Sequence, residues 1–340
     1  MTATTETKRQ LPAHRHWSDW IGYAAAGWAA AYFTLALVWT VTGDGFPFGT
    51  QNPDSIGLLR NLPEEIGAPV FAGGLLVTTV LMLAMAGGFQ PPAPLRRPLL
   101  GLGWLLALVL LVVVPEPGLL ALVGYAPLLL AGAPFGWPDV DYHEVFTWPL
   151  LNQVSVLLGG FLVAAAVLAW QRRTRPGGRP AGWATPAAAA RWGRWATAVA
   201  VAVPLLYATT RYAWLLGIPL LGTEELVRDL HASGAVWTGA WLGTFAIIGA
   251  ILTLGLVQRW GERFPRWLPG LAGRPVPVRL AVVPALVVSA LVTSAGLGLT
   301  SNASRFTGGF WFYLPQLLWP VWGVALAAAA LAYHLRRTAG

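Results

Sequence analysis

WPLLNQVSVLLGGFLVAAAVLAWQRRT, residues 148–174, and WFYLPQLLWPVWGVALAAAALAYHLRRT, residues 311–338, align at an offset of 163. The alignment matches Trp148 with Trp311, Gln153 with Gln316 and Gly160 with Gly323, and it sets Ala164–Ala166 on Ala327–Ala329. The Arg-Arg-Thr ending recurs after one inserted residue. Each copy is apolar over about the 20 residues an α-helix needs to cross a bilayer. The repeated unit is therefore a membrane unit, and its other parts should recur as well.

They do, at an offset of 175. Tyr32, Thr34 and Trp39 match Tyr207, Thr209 and Trp214. Positions seven apart share one helical face, so Tyr32/Trp39 and Tyr207/Trp214 mark equivalent faces. A similar turn follows in both copies, Gly45-Phe46-Pro47-Phe48-Gly49-Thr50 against Gly217-Ile218-Pro219-Leu220-Leu221-Gly222-Thr223. Ser55–Leu62 then resembles Thr223–Leu230, and each begins on a residue type that caps helix N-termini. Both segments read as short amphipathic helices at the outer surface.

Composition agrees with a bilayer. Of the 340 residues 56% are hydrophobic and 11% charged, against about 25% charged in soluble domains, and the mean hydropathy is +0.59. Arginine, with 21 residues against a single lysine, joins abundant Ala, Gly and Pro in suggesting a GC-rich, bacterial coding sequence. The absence of cysteine excludes disulfides, thiolate metal sites and cysteine nucleophiles.

Apolar windows predict eight spans near 17–43, 65–89, 97–114, 147–170, 194–217, 235–257, 278–300 and 310–335. The first follows a basic segment but is too long for a signal-peptide core, so it reads as a retained helix. With eight spans and the N-terminus inside, the cytoplasmic segments hold eighteen basic and three acidic residues, and the outer segments four basic and eleven acidic. Counting the short apolar stretch 117–132 as a further span would move the arginines of 171–194 outside, against the positive-inside tendency. That stretch is expected to be re-entrant or interfacial. Topology thereby accounts for the +8 net charge, and no nucleic-acid partner is expected.

The expected fold is an all-α membrane protein of eight transmembrane helices, arranged as two parallel four-helix repeats with both termini cytoplasmic. Four spans per repeat is even, so the copies keep one orientation. The parts are a tail (1–16), a first repeat (17–174), an Arg/Pro/Gly linker (175–193) and a second repeat (194–338) in a bacterial plasma membrane. Repeats of this kind occur in transporters with a site at the repeat interface.

Arg211 is the charge set well inside a span, where ionisable residues mark functional sites. It shares the face of Tyr207 and Trp214, and its matched residue is Ala36. It reads either as a substrate-binding or gating arginine or as one half of an ion pair with Glu65, Glu224 or Glu225. Gln153 and Gln316, with Asn152 beside the first, can bond between helices or line a polar path. Asp139, Asp141, His143 and Glu144, with His231 on the same side, offer cation ligands or an acid–base set, but in no defined metal pattern. Gly239 and Gly243 form a GxxxG pair. Phosphate loops, nucleophile elbows and dinucleotide fingerprints are missing, so no cofactor is expected and a non-enzymatic role is favoured. The bilayer, and a small solute or lipid, are the expected partners. The alternatives are an envelope scaffold or regulator, or an outward-facing enzyme.

Gly255–Pro269 (GLVQRWGERFPRWLP), followed by Gly273-Arg274-Pro275-Val276-Pro277, resembles a stretch shared by a family of actinobacterial multispan membrane proteins. The surroundings of Arg211–Trp214 and of Gly45–Gly49 are similar too. The resemblance covers most of the chain and implies the multispan fold. The family has no assigned activity, so the resemblance implies no site residue.

Overall fold

The structure is a computed structural model and describes residues 17–52, 55–135, 145–174, 182–267, 269–302 and 310–338. Long runs of Ala, Leu and Val favour helix once a bilayer removes competing hydrogen bonds from water. The described residues accordingly form helices, with one isolated antiparallel bridge between Arg263 and Pro275. In chain order these are α1 (Trp17–Thr42), α2 (Glu64–Ala86), α3 (Ala93–Leu108, closing in a π turn over Val109–Val113), α4 (Pro117–Gly132) and α5 (Trp148–Arg173). The second half contains α6 (Pro186–Leu215), α7 (Glu224–Ala232), α8 (Ala235–Leu254), α9 (Val278–Ser301), α10 (Phe310–Leu317) and α11 (Trp319–Thr338).

Eight stretches are long and apolar enough to cross a membrane: α1, α2, α3, α5, α6, α8, α9 and α10 with α11. α4 is a shorter apolar helix, in keeping with a segment that does not span. Large apolar side chains stand exposed along these helices, among them Val41, Val80, Leu105 and Leu252, a pattern that suits lipid rather than water. The protein is a multi-pass membrane protein.

Within the first half α1 packs on α2 and α5, and α3 packs on α5. Within the second, α6 packs on α8 and α11, and α9 packs on α11. These pairings correspond, while the packing of α2 on α3 and α5 has no counterpart of that size at α8. Gly160 of α5 lies against Leu110 and Leu111 of α3, and Gly323 of α11 lies against Ser289 and Thr293 of α9. A methyl group at Gly323 would fall 2.0 Å from Thr293 Oγ1 and 2.7 Å from the Ser289 carbonyl. Close helix approach through small residues is how membrane helices gain packing energy without a hydrophobic drive.

The basic ends match as well. Trp170 Nε1 donates to the Phe89 carbonyl at 3.1 Å, and Tyr333, its counterpart, donates to Gly261 at 2.7 Å. Arg173 bonds the Met85 carbonyl, while Arg336 bonds Leu256 and Arg337 bonds Glu262 and Val276. These arginines thus bond a carbonyl in the last turn of α2 in the first half and carbonyls of the stretch that follows α8 in the second. Contacts between Arg172 and His334 and between Arg279 and the Trp17 ring bring the two halves' basic ends together.

Two expectations need correcting. α6 begins at Pro186, eight residues before hydropathy starts the span, because Thr185 accepts from Ala188 N–H as a cap and Pro186 suits the first turn. Ser55–Leu62 forms turns rather than the helix seen at α7. Thr223 caps α7 by accepting from Leu226 N–H, whereas Ser55 gives its hydroxyl to Glu116 at 2.7 Å and Gly57 packs on that carboxyl's stem.

Candidate functional site

The halves meet where α3 passes into α4. α9 packs along both the end of α3 and α4, and α4 also reaches α8. Ser294 of α9 donates to the Pro115 carbonyl, and Asn302 donates to the Ile56 carbonyl at 3.0 Å. At this junction sits Glu116, 7% exposed. Its Oε1 accepts from Ser55, its Oε2 accepts from Asn52 at 3.2 Å, and its backbone N–H donates to Gln153 Oε1 at 3.2 Å. Burial pushes this carboxyl above its usual range, with the bonds from Ser55 and Gln153 opposing the rise.

Several buried polar side chains in this part of the first half are paired, although Arg60 Nη1 in the outer turn is buried without a hydrogen-bond partner among the described residues. Tyr32 donates to Asn152 Oδ1 at 2.6 Å, Asn152 donates back to the Trp148 carbonyl, and Trp28 donates to Ser155. Ala36 is fully buried, so the rings of Tyr32 and Trp39 meet edge to face at 5.8 Å. Glu64 accepts from Phe46 N–H and from Gln51 at 2.6 Å, pinning the turn that leads into α2. Gly49 there has φ of +71°, and a Cβ would lie 2.1 Å from the Leu62 carbonyl oxygen, so the turn requires glycine.

The second half uses the same face differently. Arg211 replaces Ala36, and its guanidinium lies 4.5 Å from the centre of the Tyr207 ring and 4.3 Å from that of Trp214. Its stem occupies the space left by the GxxxG pair of α8. A side chain at Gly243 would meet Arg211 Cβ at 3.3 Å, and one at Gly239 would meet its Cδ at 3.5 Å. Tyr207 touches Trp319 edge-on at 5.8 Å and Trp214 stacks on Phe312 at 5.3 Å. These pairings set α6 antiparallel to α10–α11. Stepping from Tyr207 to Arg211, and back along the opposing helix from Trp319, puts Pro315 and Gln316 at the same level as Arg211.

Gln316 is 8% exposed, and among the described residues its Oε1 has no hydrogen-bond partner; neither do the buried indole N–H groups of Trp319 and Trp322. α4, from the first half, reaches the second at α8, where Gly124 lies against Leu242, and Tyr125 of α4 is within electrostatic range of Tyr207 and Arg211.

Among the described residues the ion pair is Arg336–Glu262 at 3.5 Å, near the basic end. Glu65, Glu224 and Glu225 are exposed, and the structure does not bring them to Arg211, whose charge rests on aromatic faces instead. Gln153 and Gln316, matched in sequence, are not joined to one another. Asp139, Asp141, His143 and Glu144 lie outside the described residues, and no metal-binding group of three acidic or histidine side chains occurs among those described. His231 is engaged with the Trp214 carbonyl at 2.9 Å.

Sequence reading missed Glu116, Tyr125 and Trp319. Glu116 carried a signal, a lone carboxyl between prolines separating two apolar stretches. Tyr125 and Trp319 carried none, because tryptophan and tyrosine are common throughout the chain. Two grooves open on the surface, about 560 Å³ between α6 and α11 and about 380 Å³ between α6 and α8. Both have apolar linings that do not include Arg211. Protein families, curated proteins and solved structures were compared with the chain, and none matches.

Proposed function

We propose that the chain is a duplicated, parallel-repeat protein of a bacterial plasma membrane, with both termini cytoplasmic, that transports or translocates an anionic small solute or lipid where α4 meets the second bundle. The observation that carries this reading is the setting of Arg211: a cation inside a span, held by Tyr207 and Trp214 rather than by a carboxylate among the described residues. An unpaired intramembrane charge is costly to keep and marks a ligand path by default. The corresponding helix pairings, the matched glycines and the arginine–carbonyl bonds at the basic ends support the repeat. The concentration of arginine at the end that includes Arg172, Arg173, Arg336 and Arg337 supports the topology.

Both surface grooves are apolar and lie away from Arg211. That favours entry from the lipid phase over a water-filled path, and so a lipid over a free solute. The test is Arg211→Gln in proteoliposomes. It should abolish movement of anionic lipid analogues while leaving the yield of folded protein unchanged. Unaltered movement across a panel of anionic lipids and solutes sinks the reading.

A second reading, a non-enzymatic scaffold, is favoured by the junction itself, where Ser294–Pro115 and Asn302–Ile56 tie the halves together at the level of Glu116. Crosslinking in membranes that captures one defined protein partner, with capture unaffected by Arg211→Gln, would favour it.

A further inference from the structure

The Arg211 site pairs a group that can only donate with an acceptor that has no donor, and this combination restricts what can fill it. Aromatic rings lie against the guanidinium. A guanidinium stacked in this way keeps its in-plane N–H fork, which matches two oxygens of a phosphate. At the same level on the opposing helix, Gln316 Oε1 is buried without a partner among the described residues. A buried acceptor left in that state costs about 1–3 kcal/mol, a cost removed by a ligand that brings a donor.

An ionised carboxylate or phosphate diester offers acceptors only. An ammonium group would supply the donor but would sit beside Arg211 as a like charge in a low-dielectric setting. A hydroxyl supplies it without charge. It also accepts, and the Trp319 indole N–H, three residues on from Gln316 across the break between α10 and α11, is a buried donor without a partner among the described residues. One hydroxyl can therefore donate to Gln316 and accept from Trp319. The aromatic walls of Tyr207, Trp214 and Trp319 suit the C–H faces of a polyol.

Resting on the anion reading above, we propose that the ligand is a polyol phosphate, with its phosphate on Arg211 and a hydroxyl between Gln316 and Trp319. Arg211 lies four residues before the end of α6, or about 6 Å along the axis, a depth that a lipid headgroup or a free polyol phosphate can reach.

The experiment uses the full chain in nanodiscs of phosphatidylcholine doped with phosphatidylglycerol or with phosphatidylmethanol, which has the same charge but no hydroxyl. Binding is read by tryptophan fluorescence and by thermal midpoint. Phosphatidylglycerol should bind about tenfold tighter than phosphatidylmethanol, the factor that about 1.4 kcal/mol represents. Gln316→Leu should erase that preference while keeping the binding of both, and Arg211→Gln should weaken both. Glycerol 1-phosphate added in solution distinguishes the sources: displacement of the lipid favours a free polyol phosphate, and no displacement favours a lipid headgroup.

Equal affinity for the two lipids, or a preference that survives Gln316→Leu, overturns the polyol assignment while leaving the anion reading intact. Failure of every anion to bind in an Arg211-dependent way overturns both. Melting of each variant without lipid controls for folding. If Gln316→Leu does not fold, Gln316→Met replaces it and should likewise erase the preference, since its thioether is a poor acceptor for the hydroxyl.

Discussion

The acidic ends of the two halves start from the same pattern and finish in opposite states. In the first, Tyr32 bonds Asn152, Gln153 receives the Glu116 N–H, and a fully buried alanine lets two rings meet. In the second, Gln316 and the Trp319 and Trp322 indoles have no partners among the described residues, and an arginine is wedged where the alanine would be. The sequence sets a tyrosine, a tryptophan, a glutamine and a glycine at matched places in the two halves. The residue that opens the way into α4, Glu116, gives its N–H to the first glutamine. A closed polar set contributes rigidity, and an open one is available to a ligand. The first half holds the junction, and under the proposal above the second offers the site.

The comparison breaks most forcefully at the matched glycines. Gly323→Ala places a methyl against Thr293 Oγ1 and, at 2.7 Å, against backbone oxygen. Backbone cannot step aside, so overpacking of about 3 kcal/mol is expected, seen as loss of monodisperse protein after extraction. At Gly160 the nearest atoms belong to the flexible Leu111 side chain at 2.8 Å. Gly160→Ala should cost about 1 kcal/mol, at the lower edge of the same range. Equal losses at the two positions would show that the α3–α5 and α9–α11 contacts bear the same load.

A smaller effect separates the two tyrosines. Tyr32→Phe leaves Asn152 Oδ1 buried without its donor, at a cost of about 1–2 kcal/mol. Tyr207→Phe removes a hydroxyl that has no partner among the described residues and should be neutral to stability within about 0.5 kcal/mol. The pair is read by denaturation of the purified protein in one detergent. A destabilised Tyr207→Phe would mean that the second half is closed too, and would remove the basis for a ligand there.

How far this contrast could be read from the chain follows from its physics. Spans were legible because a bilayer imposes length and apolarity, and α4 was separable because sixteen residues fall short of that length. The face of Tyr207, Arg211 and Trp214 was legible from spacing alone. The nature of Arg211's company was not. A buried cation calls for a partner, and sequence offers carboxylates as the first choice, yet aromatic faces and two glycines supply the space and the field instead. Nor could spacing show that Ser55 would surrender its capping role to Glu116. That bond joins residues 61 positions apart and forms only when α3 turns at Pro115.

Glu116 gives the subtlest test, visible only as a pH dependence, because it is the residue that closes the first half. Its carboxyl is raised by burial, so the folded state holds the proton more tightly than the unfolded chain does. Its contribution to stability is then fully present below the unfolded carboxylate pKa and is lost as pH rises through the folded value. Glu116→Gln retains an acceptor for Ser55 and leaves the backbone N–H of residue 116 to Gln153, but it cannot ionise. Thermal midpoints of the two proteins should converge in acid, and the wild type should fall below the variant as pH rises past the shifted range. Parallel curves would mean that Glu116 does not change charge in the fold. A wild type that gains stability with pH would reverse the sign and require a cation at the junction. Among the described residues no carboxyl pairs with the equivalent glutamine of the second half, so Gln316→Leu should leave the pH dependence as it is in the wild type. If that variant instead flattens the curve, the two ends are coupled through α4, and opening one would loosen the other.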